Sequence, residues 1–309
     1  MKIKKILVII AHRGIGDLIY HLPLLRSLTK KYKTKIDLLS NKVNRAKEVY
    51  KDENFISSIN YFDYDRVKLY KFIFNFFKFI KIINSYNSDY TIITSGATRL
   101  TLPLIFSNSK KKCIYGRNSF FLKRKIFFNS TSSVNLQRYS KKIGLAIEKE
   151  NFFLKRKFFK NYLKQKNIFL SVDSHHNQNN WPLNNFILLI NKLMLETNHK
   201  IYINFSKNNL YYLRIFKKHF KNDHRIKYTY KKSISEIISI IEKSTYVIGN
   251  ESGPVCIGAT LKKKVHSIYL PIYTKPESKI ISNNISYYNA DLICAEKIIK
   301  RILVSIKKN

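Results

Sequence analysis

Apolar and polar positions along this chain fall into short blocks whose period switches repeatedly. KILVIIA (5–11) is a continuous apolar run, the pattern of a strand buried on both faces of a parallel sheet. Gly14 and Gly16 break it. Leu18, Leu22, Leu25 and Leu28 then recur at helical spacing, with Lys30 and Lys31 at the end where a helix dipole favours cations. KIDLLS (35–40) and DYTIITS (89–95) read as further strands, with a helix over about 66–86 between them. In the second half NIFLSV (167–172), KIYINFS (200–206), STYVIGN (244–250) and KVHSIYL (264–270) read as strands, with helices near 183–198, 207–221, 233–243 and 253–262. Strand–helix units this short form doubly wound parallel sheets with right-handed crossovers, and ligands sit at the carboxyl ends of their strands. A basic, aromatic, weakly periodic stretch, 149–166, parts the halves. The expected architecture is therefore α/β, with domains over 1–160 and 161–309 facing a cleft. The last helix, about 291–308, follows an irregular stretch and is expected either in the second domain or packed back on the first.

Composition narrows the class. A hydrophobic share of 45% excludes disorder for most of the chain, and 8 Gly with 6 Pro exclude collagen-like and linker-like readings. The three cysteines, Cys113, Cys256 and Cys294, are odd in number and far apart, so neither a disulfide framework nor a CxxC metal site is expected, and a reducing cytosol is the default. The start does not read as a signal peptide, because its apolar run is only Ile6–Ala11. No apolar run reaches the ~18 residues of a membrane span.

The charge is extreme: 58 Lys+Arg against 19 Asp+Glu give +39. Such a chain seeks polyanions, whether nucleic acid, anionic membrane or phosphorylated substrate. However, Lys far exceeds Arg, and Asn, Ile, Tyr and Phe are also abundant, the mixture that AT-rich coding yields. The lysines are spread along the whole chain rather than gathered in a tail or stripe. Nucleic-acid binding therefore rests on charge alone.

Three loops carry candidate chemistry. HRGIGDLIYHLP (12–23) joins the first strand to a helix, where backbone N–H groups and the helix dipole favour an anion. It is GxGD with Ile19 at the third-glycine position, so no dinucleotide fingerprint is present. Asp17, ionised near a helix N-terminus, suits either a general base or a helix cap. VIGNESGPVCIGATL (247–261) runs from a strand through Glu251, Ser252 and Gly253 into a helix with Pro254 in its first turn, which offers free amides to a phosphate. SVDSHHNQNNWPL (171–183) is a polar loop before a helix. His175 and His176 are adjacent, point apart and lack an HExxH or CxxC partner, so a phosphate-facing loop is expected there rather than a metal site. RVKLYKFIFNFFKFIKIINSY (66–86) reads as a domain helix with a broad buried face or as a basic amphipathic helix on an anionic membrane.

Taken together, GIGDLIYHLPLLRSLTKKY (14–32), IYGRNSFFLKRKIFF (114–128), VNLQRYSKKIGL (134–145), NNWPLNNFILLINKL (179–193) and VIGNESGPVCIGATLKKKV (247–265) resemble glycosyltransferase family 9, the heptosyltransferases of lipopolysaccharide core assembly. The opening GDxxxxLPLLRxL and the late GNESGP are the specific parts. The resemblance implies a GT-B fold of two Rossmann-like domains, acceptor-side first and nucleotide-sugar-binding second. It implies inverting, metal-independent transfer from a nucleotide sugar, typically ADP-heptose, to a lipopolysaccharide-core or other envelope acceptor. No cofactor is expected beyond that donor substrate. Asp17 falls at the family's proposed base, with Gly14 and Gly16 beside it. Glu251, Ser252, Gly253 and Pro254 fall at the donor loop, where Asp is commoner than Glu. Ser174 and His175 fall at the loop meeting the diphosphate, and Lys232 precedes the helix bordering the adenine pocket. Arg99, Arg117 and Arg138, with Lys123 and Arg124, are the basic residues expected to hold an anionic glycolipid or glycan. A cytoplasmic protein, peripheral on the inner membrane face, follows.

The chain departs from the family at three points. Asn179 and Asn180 stand where a Lys precedes the Trp-Pro pair, leaving His175, His176 or Lys207 to supply a cation. Asn208 and Asn209 stand in place of a donor-holding carboxylate, and Cys256 in place of a His. These departures motivate an alternative, a degenerate member that binds nucleotide sugar or glycan without turnover.

Overall fold

Five consecutive buried residues, Ile6–Ile10 (β1), lie at the centre of a sheet and hydrogen-bond on both edges. In this computed structural model β1 pairs in parallel with β2 (Ile36–Ser40) and β4 (Tyr90–Ile93), Ile6 standing opposite Ile36 and Tyr90. The structure describes residues 2–62, 69–94, 98–115, 127–128, 144–145, 153–155, 166–174, 180–205, 209–221, 223–270 and 284–308, without the side chains of 69–73, 98–99, 115 and 127–128.

The chain divides into two compact units, Met1–Lys155 and Arg156–Asn309. In the first, β3 (Ile56–Tyr61), β5 (Lys111–Tyr115) and β6 (Phe127–Phe128) complete a parallel sheet of order β3-β2-β1-β4-β5-β6. Its helices are α1 (Ile15–Tyr32), α2 (Ala46–Val49), α3 (Leu69–Ser85) and α4 (Thr98–Ile105). Glu53, buried, accepts from Arg26 Nη2 on both carboxylate oxygens at 2.7 and 2.9 Å and from the backbone N–H of Lys155 on Oε1 at 2.9 Å, which ties the end of the unit to α1. A buried carboxylate is retained only when neutralised in this way.

The second unit repeats the topology. β7 (Asn167–Ser171), β8 (Lys200–Asn204), β9 (Ile226–Tyr228), β10 (Tyr246–Asn250), β11 (Lys264–Tyr269) and β12 (Ile285–Asn289) form a parallel sheet of order β12-β11-β10-β7-β8-β9. Helices α5 (Leu183–Glu196), α6 (Leu210–His219), α7 (Ile234–Glu242), α8 (Gly253–Thr260) and α9 (Ala295–Lys307) flank it. Both sheets are α/β and doubly wound, as the alternating pattern predicts, and each reverses direction once, at β1/β4 and at β7/β10.

The strands that the pattern did not reveal, β3, β5, β6, β9 and β12, lie at or next to sheet edges, and the short helices α2 and α4 were not revealed either. β3 carries Ser57, Ser58 and Asn60, β9 has three residues, and β12 runs through the stretch that reads as irregular. A half-exposed edge strand needs no continuous apolar run, so its sequence lacks the signal that marks β1, β7 and β10. In α9, Ile298, Ile299, Ile302, Leu303 and Ile306 are buried in the C-terminal unit's own core with Leu189 and Leu193 of α5, and Lys307 pairs with Glu196 at 2.6 Å. The apolar face of the last helix therefore belongs to the second unit.

Candidate active site

The sequence-named loops lie at the carboxyl ends of β1 and of β7 and β10, where each sheet reverses. Loops on either side of such a reversal diverge and leave a crevice, the usual ligand position in this class of sheet.

In the N-terminal unit Gly14 caps α1 with extended backbone, and its N–H donates to the Asp17 carboxylate at 3.0 Å. A Cβ on Gly14 would stand 2.6 Å from Asp17 Oδ2, so a larger residue there would push the Asp17 carboxylate aside. Gly16 lies between them in the first helical turn. Asp17 is half-buried and caps the helix that carries it. One turn on, His21 is buried and donates from Nδ1 to the Asp17 carbonyl. Burial, reinforced by the neighbouring His12 and opposed by that hydrogen bond, pushes its pKa down to about 3, so the ring is neutral. His12 stacks on it at 5.8 Å and donates from Nε2 to the Thr94 carbonyl at 2.8 Å. Asn44 Nδ2 donates to the His12 carbonyl at 3.0 Å. The loop entering α1 is thus tied to the ends of β2 and β4, which orients the first turn carrying Asp17.

In the C-terminal unit the buried Asn250, the last residue of β10, holds two loops together. Its Oδ1 accepts from Trp181 N–H at 2.8 Å, and its Nδ2 donates to the Val172 carbonyl at 2.9 Å and lies 3.4 Å from Asn180 Oδ1. Asn180 Oδ1 also accepts from the backbone N–H and hydroxyl of Ser174 at 2.9 and 2.8 Å. Trp181 is buried edge-on to Phe186 at 4.9 Å, which anchors the start of α5. A Cβ on Gly249 would stand 2.2 Å from the Ser171 carbonyl, so only glycine lets β10 pass β7 at this point.

Glu251 N–H donates to the Ile268 carbonyl, Ser252 caps α8 with extended backbone, and Ser252, Gly253 and Pro254 are half-buried. The first intrahelical bond runs from Cys256 N–H to the Ser252 carbonyl at 3.0 Å. The amides ahead of it are first-turn groups that a helix cannot satisfy internally, and the dipole adds partial positive charge where they point. Cys256 itself is buried on α8.

Lys232 pairs with Glu236 at 3.0 Å, and the other oxygen of Glu236 accepts from Ser233 N–H at 2.8 Å. That N–H first, and then Lys232, pulls the carboxyl down to about 2. Asn209, at the family's carboxylate position, caps α6 by accepting from Tyr212 N–H at 3.2 Å. Arg99 stands in the first turn of α4, its side chain outside the description. Arg117, Arg138 and His175 lie outside the described residues, as do Lys123, Arg124, His176, Asn179, Lys207 and Asn208. Among the described residues no group of three or more His, Cys, Asp and Glu side chains is placed to hold a metal ion.

The residue patterns did not reveal Asn250 or the His12–His21 pair as organising residues. For Asn250 a signal existed: a polar side chain ends an otherwise apolar strand. For the histidines none did, because the stack joins positions nine apart across a loop.

Two 3-2-1-4-5-6 sheets in one chain, each with a polar loop and helix N-terminus at its reversal, are the architecture of the GT-B fold. The profile of glycosyltransferase family 9 (heptosyltransferase) matches residues 96–297, about two thirds of the sequence, and the chain belongs to that family. Solved structures agree in fold. A family 9 glycosyltransferase from Veillonella parvula is 13% identical, covers 100% of this chain and 99% of its own, and has a TM-score of 0.76. E. coli heptosyltransferase WaaC, solved with ADP, is 14% identical over 98% and 99% with a TM-score of 0.72. E. coli ADP-heptose lipopolysaccharide heptosyltransferase II is 13% identical over 98% and 99% with a TM-score of 0.69. No curated protein matches the chain by sequence.

Proposed function

We propose that this glycosyltransferase moves heptose or a related sugar from an ADP-linked donor to a lipopolysaccharide-core or other envelope glycan, with inversion and without a metal. Family membership supports the transfer. The observation that carries the site assignment is Asp17 on the first turn of α1, at the point where the N-terminal sheet reverses. In the proposed step the Asp17 carboxylate takes the acceptor hydroxyl proton. The freed oxygen forms a bond to the anomeric carbon as the bond from that carbon to the diphosphate breaks, and the nucleoside diphosphate leaves with its electron pair. The first-turn amides of α8 and the hydroxyl of Ser252 stabilise the leaving diphosphate through short-range donors and the helix dipole. Gly253 and Pro254 shape that turn. Ser174 and His175 border the diphosphate, Glu251 meets sugar hydroxyls, and Lys232 precedes the helix that borders the adenine. Arg99, Arg117 and Arg138 hold the anionic acceptor, and the protein works at the inner face of the cytoplasmic membrane.

The test separates Asp17 the base from Asp17 the cap. Asp17→Asn keeps an oxygen to accept from Gly14 N–H but removes the basicity. It is expected to lower sugar transfer by roughly 10²–10⁴ while leaving thermal stability nearly unchanged. Asp17→Ala loses both and also costs about 1 kcal/mol in the cap. Transfer at the normal rate by Asp17→Asn would remove Asp17 as the base. Donor binding with no turnover by the unaltered protein, over a panel of envelope acceptors, would favour the degenerate reading that Asn180 and Asn209 motivate.

A further inference from the structure

One face of α3 is unlike that of a helix that only covers a sheet. Its inner side is well buried: Phe79 and Ile83 lie in the core, and Phe62 stacks on Phe79 at 4.3 Å. On the outer side Phe74 is 72% and Phe77 64% exposed, and Lys78, Lys81 and Ser85 follow them, also exposed. These positions are three and four residues apart and form one continuous stripe. Phe106, just beyond α4, is 62% exposed and joins the same surface. Phe76 bridges the two helices, edge-on to Phe77 at 5.3 Å and to Phe106 at 5.8 Å. Every exposed phenylalanine among the described side chains stands in this cluster. Neither α3 nor α4 contains an acidic residue.

Exposed rings in a row, continued by lysines along one stripe, are complementary to a surface that is apolar within and anionic at its boundary. A second copy of the chain is a poor fit, since it would bring identical lysines and a further +39 against the first. Among the described residues no helix is long and apolar enough to cross a membrane.

We propose that the Phe74–Phe77–Phe106 face of the N-terminal unit docks on an anionic lipid bilayer, with the rings entering the headgroup–acyl boundary and Lys78 and Lys81 against the headgroups. The proposal rests on the envelope acceptor proposed above only for its purpose: a face that holds the protein on the bilayer keeps a lipid-borne acceptor at high local concentration.

The test uses the full chain and vesicles of phosphatidylcholine with or without about one third phosphatidylglycerol, read by flotation. The unaltered protein is expected to float with the anionic vesicles. Phe74→Ser, Phe77→Ser and Phe106→Ser together are expected to lower the bound-to-free ratio by about tenfold or more, and Lys78→Glu with Lys81→Glu to weaken binding and flatten its salt dependence. The native Trp181 is buried in the other unit, so its emission is a constant background to be subtracted. Phe77→Trp emission should shift to the blue on anionic vesicles and be quenched by brominated acyl chains. Unaltered flotation of the triple Ser variant, or a Phe77→Trp emission that ignores vesicles, would overturn the proposal. So would lipid-free, concentration-dependent self-association that the Ser substitutions abolish. An unchanged melting temperature and normal transfer to a water-soluble acceptor show that the Ser variant is intact. Lost flotation with normal soluble transfer in the unaltered protein sinks only the docking surface. Intact, Phe-dependent flotation without transfer sinks only the transferase reading.

Discussion

At the residue scale, Asp17 joins an observed role, the helix cap, to the one proposed for it, the general base. Accepting from Gly14 N–H fixes its position at the start of α1, and the same carboxylate oxygens are those that a general base needs. Sequence spacing presents cap and base as alternatives, whereas in the fold a capped carboxylate is also one held in place. The histidines make a second residue-scale point. Burial sets His21 at about 3, and burial followed by Lys264 sets His266, which bonds Tyr288 through Nδ1, at about 4. An unfolded chain titrates histidine near about 6.5. Below that value the unfolded state binds protons that the native state refuses, so stability falls as pH drops from about 6.5 towards the native values and is level in this respect above it. Each residue contributes up to about 1.4 kcal/mol per pH unit in that window. Urea unfolding between about pH 6.5 and 5, ahead of most carboxylate titration, should show the decline. A His21→Asn, His266→Asn double variant should flatten it, and an unchanged slope would refute the assignment.

At the element scale, the sequence pattern separates strongly apolar strands from helices but not how their loops are joined. The β7–α5 loop and the β10–α8 loop are 70 residues apart in the chain, yet Asn250 and Asn180 hydrogen-bond them into one structure. Asn180, read from sequence as a missing cation, proves to be a joint in that structure and holds Ser174. Asn250→Ala leaves the Trp181 N–H and the Val172 carbonyl without their partner in a buried setting. The expected cost is about 2–4 kcal/mol, measured by urea unfolding, with weakened nucleotide binding because both loops loosen. A change below about 0.5 kcal/mol would mean that the loops hold each other by packing instead. Of the strands that escaped sequence reading, β3, β6, β9 and β12 are edge strands and β5 lies next to an edge, and β3, β9 and β12 carry Ser, Lys and Asn on half-exposed faces. Their existence is settled by pairing with a neighbour rather than by their own composition.

For the whole molecule, the charge of +39 first suggests a polyanion partner. In the roles proposed above, that generic attraction falls to particular places: a helix N-terminus at the reversal of the second sheet, and an aromatic face edged with lysine on the first unit. A nucleotide-sugar panel tests the first of these as a bulk property. A ligand that binds only the native state raises stability by RT ln(1 + [L]/Kd), about 2.7 kcal/mol at a hundredfold excess over Kd. ADP-linked sugars are expected to raise the melting temperature more than UDP- or GDP-linked ones. A larger shift with a UDP- or GDP-sugar would reassign the donor.

The sequence by itself determined the α/β class, the doubly wound alternation, the central strands and the two loop motifs, because these depend on local period and on short segments. Tertiary structure alone decided the edge strands, the placing of α9 in the second unit, the stacking of His12 on a buried His21 and the Asn250 joint. Each of these depends on which distant segments become neighbours, and a buried hydrogen bond or an exposed ring acquires meaning only once those neighbours exist.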